Sequence, residues 1–579
     1  MRPDSPIPID MLPSLVGLLE RRAATQPDER AFLFLSDHGA EEATITYGEL
    51  WGRASAFAAR LADVTGPGDR ALLVFPAGLE FIVGFFACLI ARVIPVPMMV
   101  PRRQSARDAS ASIVADCKPT VALASPALMG RSDLRDRIAG LEWLSVDLAP
   151  GVAPSTVPAR PGRDDVAFLQ YTSGSTSDPK GVVVSHANLL ANLEMNRVSL
   201  SNTSASIGVN WIPHYHDMGL VFGILTPLYL GALGVLMSPN AFMQRPLLWL
   251  RAISRYRAEL GASPNFGFDL CVSRFRAEQM QGIDLSCWKV VNSGAEPIRH
   301  ETVRRFNETF APYGLDPRAA YPSYGMAEAT LQVTGSRRGA GHVTRAISRA
   351  ALLENAIRPL TDGADTQTVV GCGRAILDEQ IAIVEAQTRR RLAPDEVGEI
   401  WVSGANVASS YWQNAEATQA SLRARIAGED DGVNWLRSGD LGFLDETGQL
   451  FVTGRIKELI IIRGMNHYPQ DIERTVQAAH PALRQNCGAA FSVVDDRGEE
   501  QLVIVQEVER TARNKVDPHE IAGIIREAVT NDHEIFARHI VLIRPQTLPK
   551  TTSGKVQRAL TRKLWLEHKL DYLTTEPAA

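Results

Sequence analysis

The sequence predicts an α/β protein: helix-covered sheets over most of the chain, then a smaller α+β unit at its C-terminal end. Three observations predict it. From Asp69 onward, apolar strand patterns alternate with helical ones. Around Glu399 this rhythm changes to short alternating strands with turn signals. Over about the last 120 residues a second, separate series of strands and helices follows.

The elements can be taken in order. "ALLVFP" reads as a strand, "LEFIVGFFACLIARV" as a helix and "IPVPMM" as the next strand. "TVALAS", "GVNWIP", "GVLMSP" and "WKVVNSG" continue the series. Strands this apolar, separated by helices, belong in parallel sheets covered on both faces. "EIWVSG" and "GFLDETGQLFVTGR" instead suggest a smaller antiparallel region. "ELIIIRG" is a strand, and "YPQDIERTVQAA" a helix with Pro469 near its first turn and Ile472, Val476 and Ala479 on one face. "GAAFSVVD", "EQLVIVQEV", "HEIAGIIREAV" and "HIVLIRP" complete the unit. The boundary falls near Lys457, giving a large domain over 1–456 and a small one over 457–579.

The bulk properties exclude several classes. A chain of 579 residues exceeds one ordinary core. Apolar residues at 45% and charged residues at 22% are ordinary for a soluble globular protein. A net charge of −5 gives no long-range attraction for nucleic acid or anionic membrane. The six cysteines are scattered without a CxxC pair, as expected of reduced thiols in a cytoplasmic protein. The N-terminus lacks a signal-peptide layout. The most apolar run, "EFIVGFFACLIARVIPVPMMV", is broken by Arg92 and two prolines, so it reads as a buried helix entering a buried strand rather than a membrane span.

One loop carries chemistry. "YTSGSTSDPKGVVVSH", Tyr171 to His186, lies between two apolar strands. Thr172, Ser173, Ser175 and Thr176 offer hydroxyls, and Gly174 lets backbone N–H groups approach an anion. It is not a Walker loop, which runs into a helix and needs Gly-Lys-Ser/Thr together, whereas Lys180 stands between Pro179 and Gly181. "TTSGKV" fails the same template at Pro549 and Val556. The blander alternative for this stretch alone is a serine-rich surface hairpin.

Five further stretches decide between these readings: "NSGAEP", "YPSYGMAEAT", "RSGDLGFL", "GRIKELIIIRGMNHYPQDIE" and "LPKTTSGKVQR". With the loop, they stand in the order and spacing of the adenylate-forming superfamily of acyl-CoA synthetases, amino-acid adenylation domains and luciferases. "WIPHYHDMGL", "IIIRGMNHYPQDIE" and a long path from "YGMAEAT" to "VVGCGR" resemble the fatty acyl-AMP ligases most. That path carries an additional helix-like segment, "RAISRAALLENAIRP", in an insertion near 336–370. Ser177 stands where Gly is commoner, and Ser438 where Thr usually precedes Gly-Asp.

The resemblance implies a fold and a set of roles. The fold is a large domain of helix-covered sheets with a small β-barrel-like region, followed by a mobile α+β domain. Joining a carboxylate to a phosphate brings two anions together, a repulsion of about 4 kcal/mol at about 4 Å and an effective dielectric of about 20. The loop Thr172–Thr176 with Lys180 would grip the β- and γ-phosphates of ATP, and Glu328 would hold Mg²⁺. Gly294, Ala295 and Glu296 would flank the adenine, with Tyr324 against its face and Gly325, Met326 and Ala327 beside it. Asp440 would accept the ribose hydroxyls, helped by Arg455. Lys555 would bridge the carboxylate and α-phosphate, His216 would border the carboxylate channel, and Lys457 would be the hinge.

Blander readings stand beside these: a surface ion pair for Asp440 and Arg455, a solvated Glu328, a structural His216. Lysine choice favours the catalytic reading of Lys555. The chain has nine lysines against 51 arginines, yet keeps Lys at 180, 457, 550 and 555. An ammonium is a compact point charge that Arg does not replace equivalently.

Four functions are compatible with the sequence. The first is a ligase that forms fatty acyl-AMP and passes the acyl group to the phosphopantetheine of an acyl carrier protein of a polyketide synthase or peptide synthetase. An acyl-CoA synthetase shares the first step. An amino-acid adenylation enzyme needs an anion for the substrate ammonium, for which only Asp217 is near. A non-catalytic nucleotide-binding scaffold would not need Lys555 or Glu328. "GILTPLYLGALGVLM" and "NFGFDLCVSRF" supply apolar surface that serves a lipid tail or a core.

Overall fold

The computed structural model describes residues 12–101, 110–138, 140–150, 160–172, 179–360, 363, 365–462, 465–495, 500–551 and 554–573, the Arg137 side chain apart. Among the described residues the largest sheet has nine strands. Its centre is parallel: Ala320–Gly325, Val290–Ser293, Leu260–Ser263, Gly208–Asn210, Gly234–Met237 and Arg30–Leu35 run the same way. Antiparallel strands flank it, Gln332–Gly335 and then Arg374–Ala375 on one side and Glu41–Thr46 on the other. A second, four-stranded sheet of Ile94–Met98, Arg70–Val74, Val121–Ala124 and Glu142–Ser145 is wholly parallel.

The apolar run is a buried helix followed by a buried strand. Every residue of Leu79–Ala91 except Glu80 is buried. Arg92 then takes a left-handed conformation (φ 58°) and turns the chain into Ile94–Met98, buried throughout. Each large side chain so enclosed contributes about 1.5–3 kcal/mol. Among the described residues, no helix is long and apolar enough to cross a membrane.

The antiparallel region comprises Gln380–Val384, Gly398–Ser403, Leu436–Leu444 and Leu450–Arg455. Beyond it lies a three-stranded sheet, Leu483–Val494, Glu500–Val508 and Ala537–Ile543, with the helices Pro469–Ala479, Pro518–His533 and Arg558–Leu566. Its two apolar clusters draw only on residues from Ile460 onward, so this small domain has a core of its own. All six cysteines are free and buried.

The insertion differs from its helix-like reading. Thr344–Ser348 is a strand paired antiparallel with Thr366–Val370, and only Arg349–Leu353 is helical. The Ser348 hydroxyl caps that single turn by accepting from Ala351 N at 3.1 Å, and Asn355, at φ 60°, follows its end. Ile347 and Val369 bury their side chains in strand positions, so tertiary packing takes residues 345–348 into the strand while the alanines and leucines that follow keep the helix. The insertion also braces the small domain. Arg349 donates to Asp532 O at 3.0 Å, Gln367 to Asp471 Oδ2 at 3.1 Å, and Asn466 to Asn355 Oδ1 at 3.2 Å. Tyr468 of the small domain shares an apolar cluster with Ile347, Leu352 and Ile357.

Candidate active site

The strands Val166–Tyr171 and Gly181–Ser185 pair antiparallel up to Tyr171 opposite Gly181, so the two ends of the serine-rich loop lie side by side. Thr172 N donates to Lys180 O at 3.2 Å across its base. Ser173, Gly174, Ser175 and Thr176 lie outside the described residues, as does Ser177. The Lys180 ammonium sits 5.0 Å from the centre of the Tyr411 ring. The Tyr411 hydroxyl donates to Glu328 Oε1 at 3.0 Å. Tyr411 thus stands between the loop's cation and the carboxylate expected to hold a metal.

Glu328 is held by a tight turn. A Cβ on Gly325 would meet Leu331 O at 1.8 Å, so only glycine fits there. Met326 N donates to Leu331 O at 2.8 Å, Ala327–Ala329 form a short 3₁₀ turn, and Thr330 follows at φ 65° and ψ −53°. The amides of Asn192 and Asn406 both bind the carbonyls of Ala329 and Gln332. Burial raises the Glu328 pKa above the usual glutamate value, although the Tyr411 hydroxyl and the Arg455 charge oppose it. Among the described residues no cluster of three or more metal-ligating side chains exists. A lone half-buried carboxylate nevertheless fits Mg²⁺ bound mainly by nucleotide phosphates and water.

Asp440 is 5% exposed and lies opposite Arg455 on the neighbouring strand. Arg455 Nε reaches Asp440 Oδ1 at 2.7 Å, and Tyr324 donates its hydroxyl to Oδ2 at 2.8 Å. Burial and the Asp440 charge push the Tyr324 pKa well up, so the phenol remains a donor. Ser438, in the usual place of Thr, donates to Ile400 O at 2.6 Å and accepts from Asp440 N at 3.0 Å. The smaller hydroxyl fulfils the local bonding.

Gly294 packs against Ser323, where a Cβ would lie 3.0 Å from Oγ, and Ala295 follows at φ 70°. Glu296 Oε1 accepts from Asn265 N at 2.8 Å, tying this turn to the helix Asn265–Ser273.

Lys555 reaches these groups from the small domain. Its loop is closed by Thr551 N to Lys555 O at 2.7 Å and Lys555 N to Thr551 Oγ1 at 3.0 Å. Gly554, at φ 82°, lies against Phe266 so closely that a Cβ would approach the ring to 2.6 Å. Burial and Arg455 lower the Lys555 pKa, while Asp217, Glu296 and Asp440 oppose the shift. The charges that act on the ammonium, those of Arg455, Asp217, Glu296 and Asp440, all belong to the large domain. Asn486 adds a second tie, donating to Asp269 Oδ2 at 3.1 Å.

His216 Nδ1 lies 2.6 Å from Asp217 Oδ1, which also accepts from Met218 N at 2.6 Å. Burial pushes the Asp217 pKa up, but His216 and Lys555 outweigh it, and the carboxyl stays below its ordinary value. The nearby His214 packs 4.0 Å from the Phe81 ring, and burial lowers its pKa to about 3, so it stays neutral. Met218–Leu225 winds as a π-helix with every residue buried, and Leu225, Leu228, Tyr229 and Leu230 of the first apolar run belong to a core cluster. Lys457 is exposed in the 3₁₀ turn Ile456–Glu458.

Tyr411, Asn192 and Asn406 were not among the sequence candidates. Their partners are 74 to 140 residues away along the chain, beyond the reach of motif spacing.

Residues 19–412 match the AMP-binding enzyme family, and residues 457–575 match the Disco-interacting protein 2-like AMP domain. The chain is 42% identical over 571 residues to the medium-chain-fatty-acid–(acyl-carrier-protein) ligase JamA of Moorena producens, covering 96% of each chain. It is 35% identical to the long-chain-fatty-acid–AMP ligase FadD26 of Mycobacterium bovis, covering 94% of this chain and 96% of that one. The chain belongs to the AMP-binding enzymes, in their fatty acyl-AMP ligase branch. The fatty acyl-adenylate ligase from L. pneumophila, solved with acyl adenylate and pyrophosphate, superposes with a TM-score of 0.74 at 36% identity, over 98% of both chains. A fatty acyl-AMP ligase thus has the large and small domains seen here, with adenylate formation as its chemistry.

Proposed function

We propose that this ligase converts a fatty acid and ATP into fatty acyl-AMP and pyrophosphate, then passes the acyl group to the phosphopantetheine thiol of an acyl carrier protein. The observation that carries the reading is Lys555 of the small domain among Asp217, Glu296, Asp440 and Arg455 of the large one. A cation brought to that point offsets the repulsion between carboxylate and α-phosphate and holds the two in line.

The remaining roles follow from the same arrangement. Asp440, fixed by Tyr324 and Arg455, accepts the ribose hydroxyls. Gly294, Ala295 and Glu296 form a rigid edge for the adenine, with Tyr324 at its face. The Thr172–Thr176 loop and Lys180 bind the β- and γ-phosphates. Glu328 would hold Mg²⁺, which supplies charge neutralisation on the phosphate oxygens. His216, paired with Asp217, borders the fatty acid's carboxylate.

Lys457 is the hinge about which the small domain, 457–579, turns after adenylation to admit the thiol. The insertion near 336–370 restrains that turn and disfavours free CoA. The carrier belongs to a polyketide synthase or peptide synthetase, and the enzyme works in the cytoplasm. The test is pyrophosphate release with ATP, Mg²⁺ and a panel of fatty acids. Release with fatty acids and none with amino acids supports the reading, and no release with any acid overturns it.

A further inference from the structure

Glu379 lies outside every motif, yet it is a buried carboxyl, 8% exposed, with no cation acting on it among the described residues. It precedes the strand Gln380–Val384 and lies under the loop Gly404–Ala408. Its Oε1 accepts from Asn406 Nδ2 at 3.3 Å. Its Oε2 lies 2.1 Å, and Asn406 Oδ1 2.7 Å, from the point a Cβ on Gly404 would occupy. Glycine at 404 leaves room for the acid and the amide to meet side by side.

Asn406 is itself fully buried, and its Oδ1 has no donor. The other end of its amide binds Ala329 O at 3.2 Å and Gln332 O at 3.1 Å, closing the turn that follows Glu328. Its main-chain carbonyl accepts from the Thr330 hydroxyl at 2.6 Å. Two residues on, Ala408 N donates to the carbonyl of Glu328 itself at 2.8 Å. The loop and the turn are thereby one hydrogen-bonded body.

We propose that Glu379 is a positioning residue for Glu328, acting through Asn406. The inference rests on the reading of Glu328 as the Mg²⁺ ligand. A carboxylic acid at 379 donates its proton to Asn406 Oδ1 and accepts from Nδ2, satisfying both ends of a buried amide. Burial, countered only by the Asn406 amide, pushes the Glu379 pKa up to about 8, with no charged group contributing. Once the proton leaves, Oδ1 faces an anion, and the amide turns toward it and away from the carbonyls of Ala329 and Gln332.

The experiment follows acyl-AMP formation against free Mg²⁺ and pH in the full-length wild type, Glu379→Ala, Glu379→Gln and Glu328→Gln. Glu379→Ala is expected to raise the Mg²⁺ needed for half-maximal rate about tenfold, with the fatty-acid KM within about twofold. Glu379→Gln mimics the neutral acid. It is expected to match wild type at pH 7 and to keep its rate at pH 9, where wild type falls toward about a tenth.

A Glu379→Ala Mg²⁺ curve superimposable on wild type, or an unchanged alkaline fall in Glu379→Gln, overturns the proposal. Should Glu379→Ala not fold, the Glu379→Gln profile alone decides. Glu328→Gln separates the two ideas: Mg²⁺ dependence like that of wild type overturns the metal-ligand reading of Glu328 and takes this proposal with it.

Discussion

Asp440 and Arg455 face each other across adjacent antiparallel strands, and their side chains meet at 2.7 Å. With the Tyr324 hydroxyl on its other oxygen, the buried Asp440 carboxylate is fixed in one orientation before nucleotide arrives. Hydrogen bonds to a charged group are worth about 1.5–3 kcal/mol. Asp440→Asn is therefore expected to lower kcat/KM for ATP by roughly tenfold to a hundredfold, with fatty-acid KM little changed. Steady-state pyrophosphate release checks it, and an unchanged kcat/KM would reduce the pair to a structural strut.

Lys555 comes from a different domain than the groups around it, so its loss should separate the two half-reactions. Lys555→Ala is expected to slow acyl-AMP formation by about 10²–10³-fold, the scale for losing one preorganised charge donor. Transfer from supplied acyl-AMP to a carrier protein should persist. Lys555→Arg should not restore adenylation, because the planar guanidinium cannot occupy the same point. Equal loss of both steps would contradict the assignment.

The insertion's grip on the small domain predicts altered acceptor choice. Contacts like those of Arg349 and Gln367 are worth about 0.5–1.5 kcal/mol each. The double variant Arg349→Ala, Gln367→Ala should free the small domain and raise conversion of acyl-AMP to acyl-CoA by roughly tenfold, with adenylation intact. Acyl-CoA yield measured by mass spectrometry decides it.

Three buried histidines predict an acid-sensitive fold. Burial lowers the pKa of His186 to about 4, His214 to about 3 and His533 to about 4. The unfolded chain takes up these protons near its ordinary value of about 6.5, and the native protein does so only at lower pH. Their stabilisation is thus complete above that value and lost as pH falls toward 4, by up to about 1.4 kcal/mol per pH unit for each. Tm measured from pH 7 to pH 4 should fall, and His533→Asn should flatten the decline.

Much of this architecture was legible in the sequence, because apolar periodicity and turn chemistry are local. The run from Leu79 to Met98 declared a buried helix and strand, and the apolar stretches on either side of the Tyr171 loop declared the two strands that flank it. The insertion was less legible: its alanines and leucines do form helix at Arg349–Leu353, but pairing with Thr366–Val370, distant in sequence, makes a strand of the Thr344–Ser348 segment before them. His214 and His216 look alike in sequence, and the structure distinguishes them by burying His214 against Phe81 and pairing His216 with Asp217. Tyr411, Asn406 and Glu379 act through contacts between distant segments, which no motif spacing encodes.

The most direct test of the central claim is mass spectrometry of the purified enzyme with ATP, Mg²⁺ and fatty acids, adding CoA or a phosphopantetheinylated carrier protein. The account predicts that acyl-AMP accumulates, persists with CoA and is consumed by the carrier. Ready conversion to acyl-CoA, or no adenylate from a folded enzyme, would contradict it.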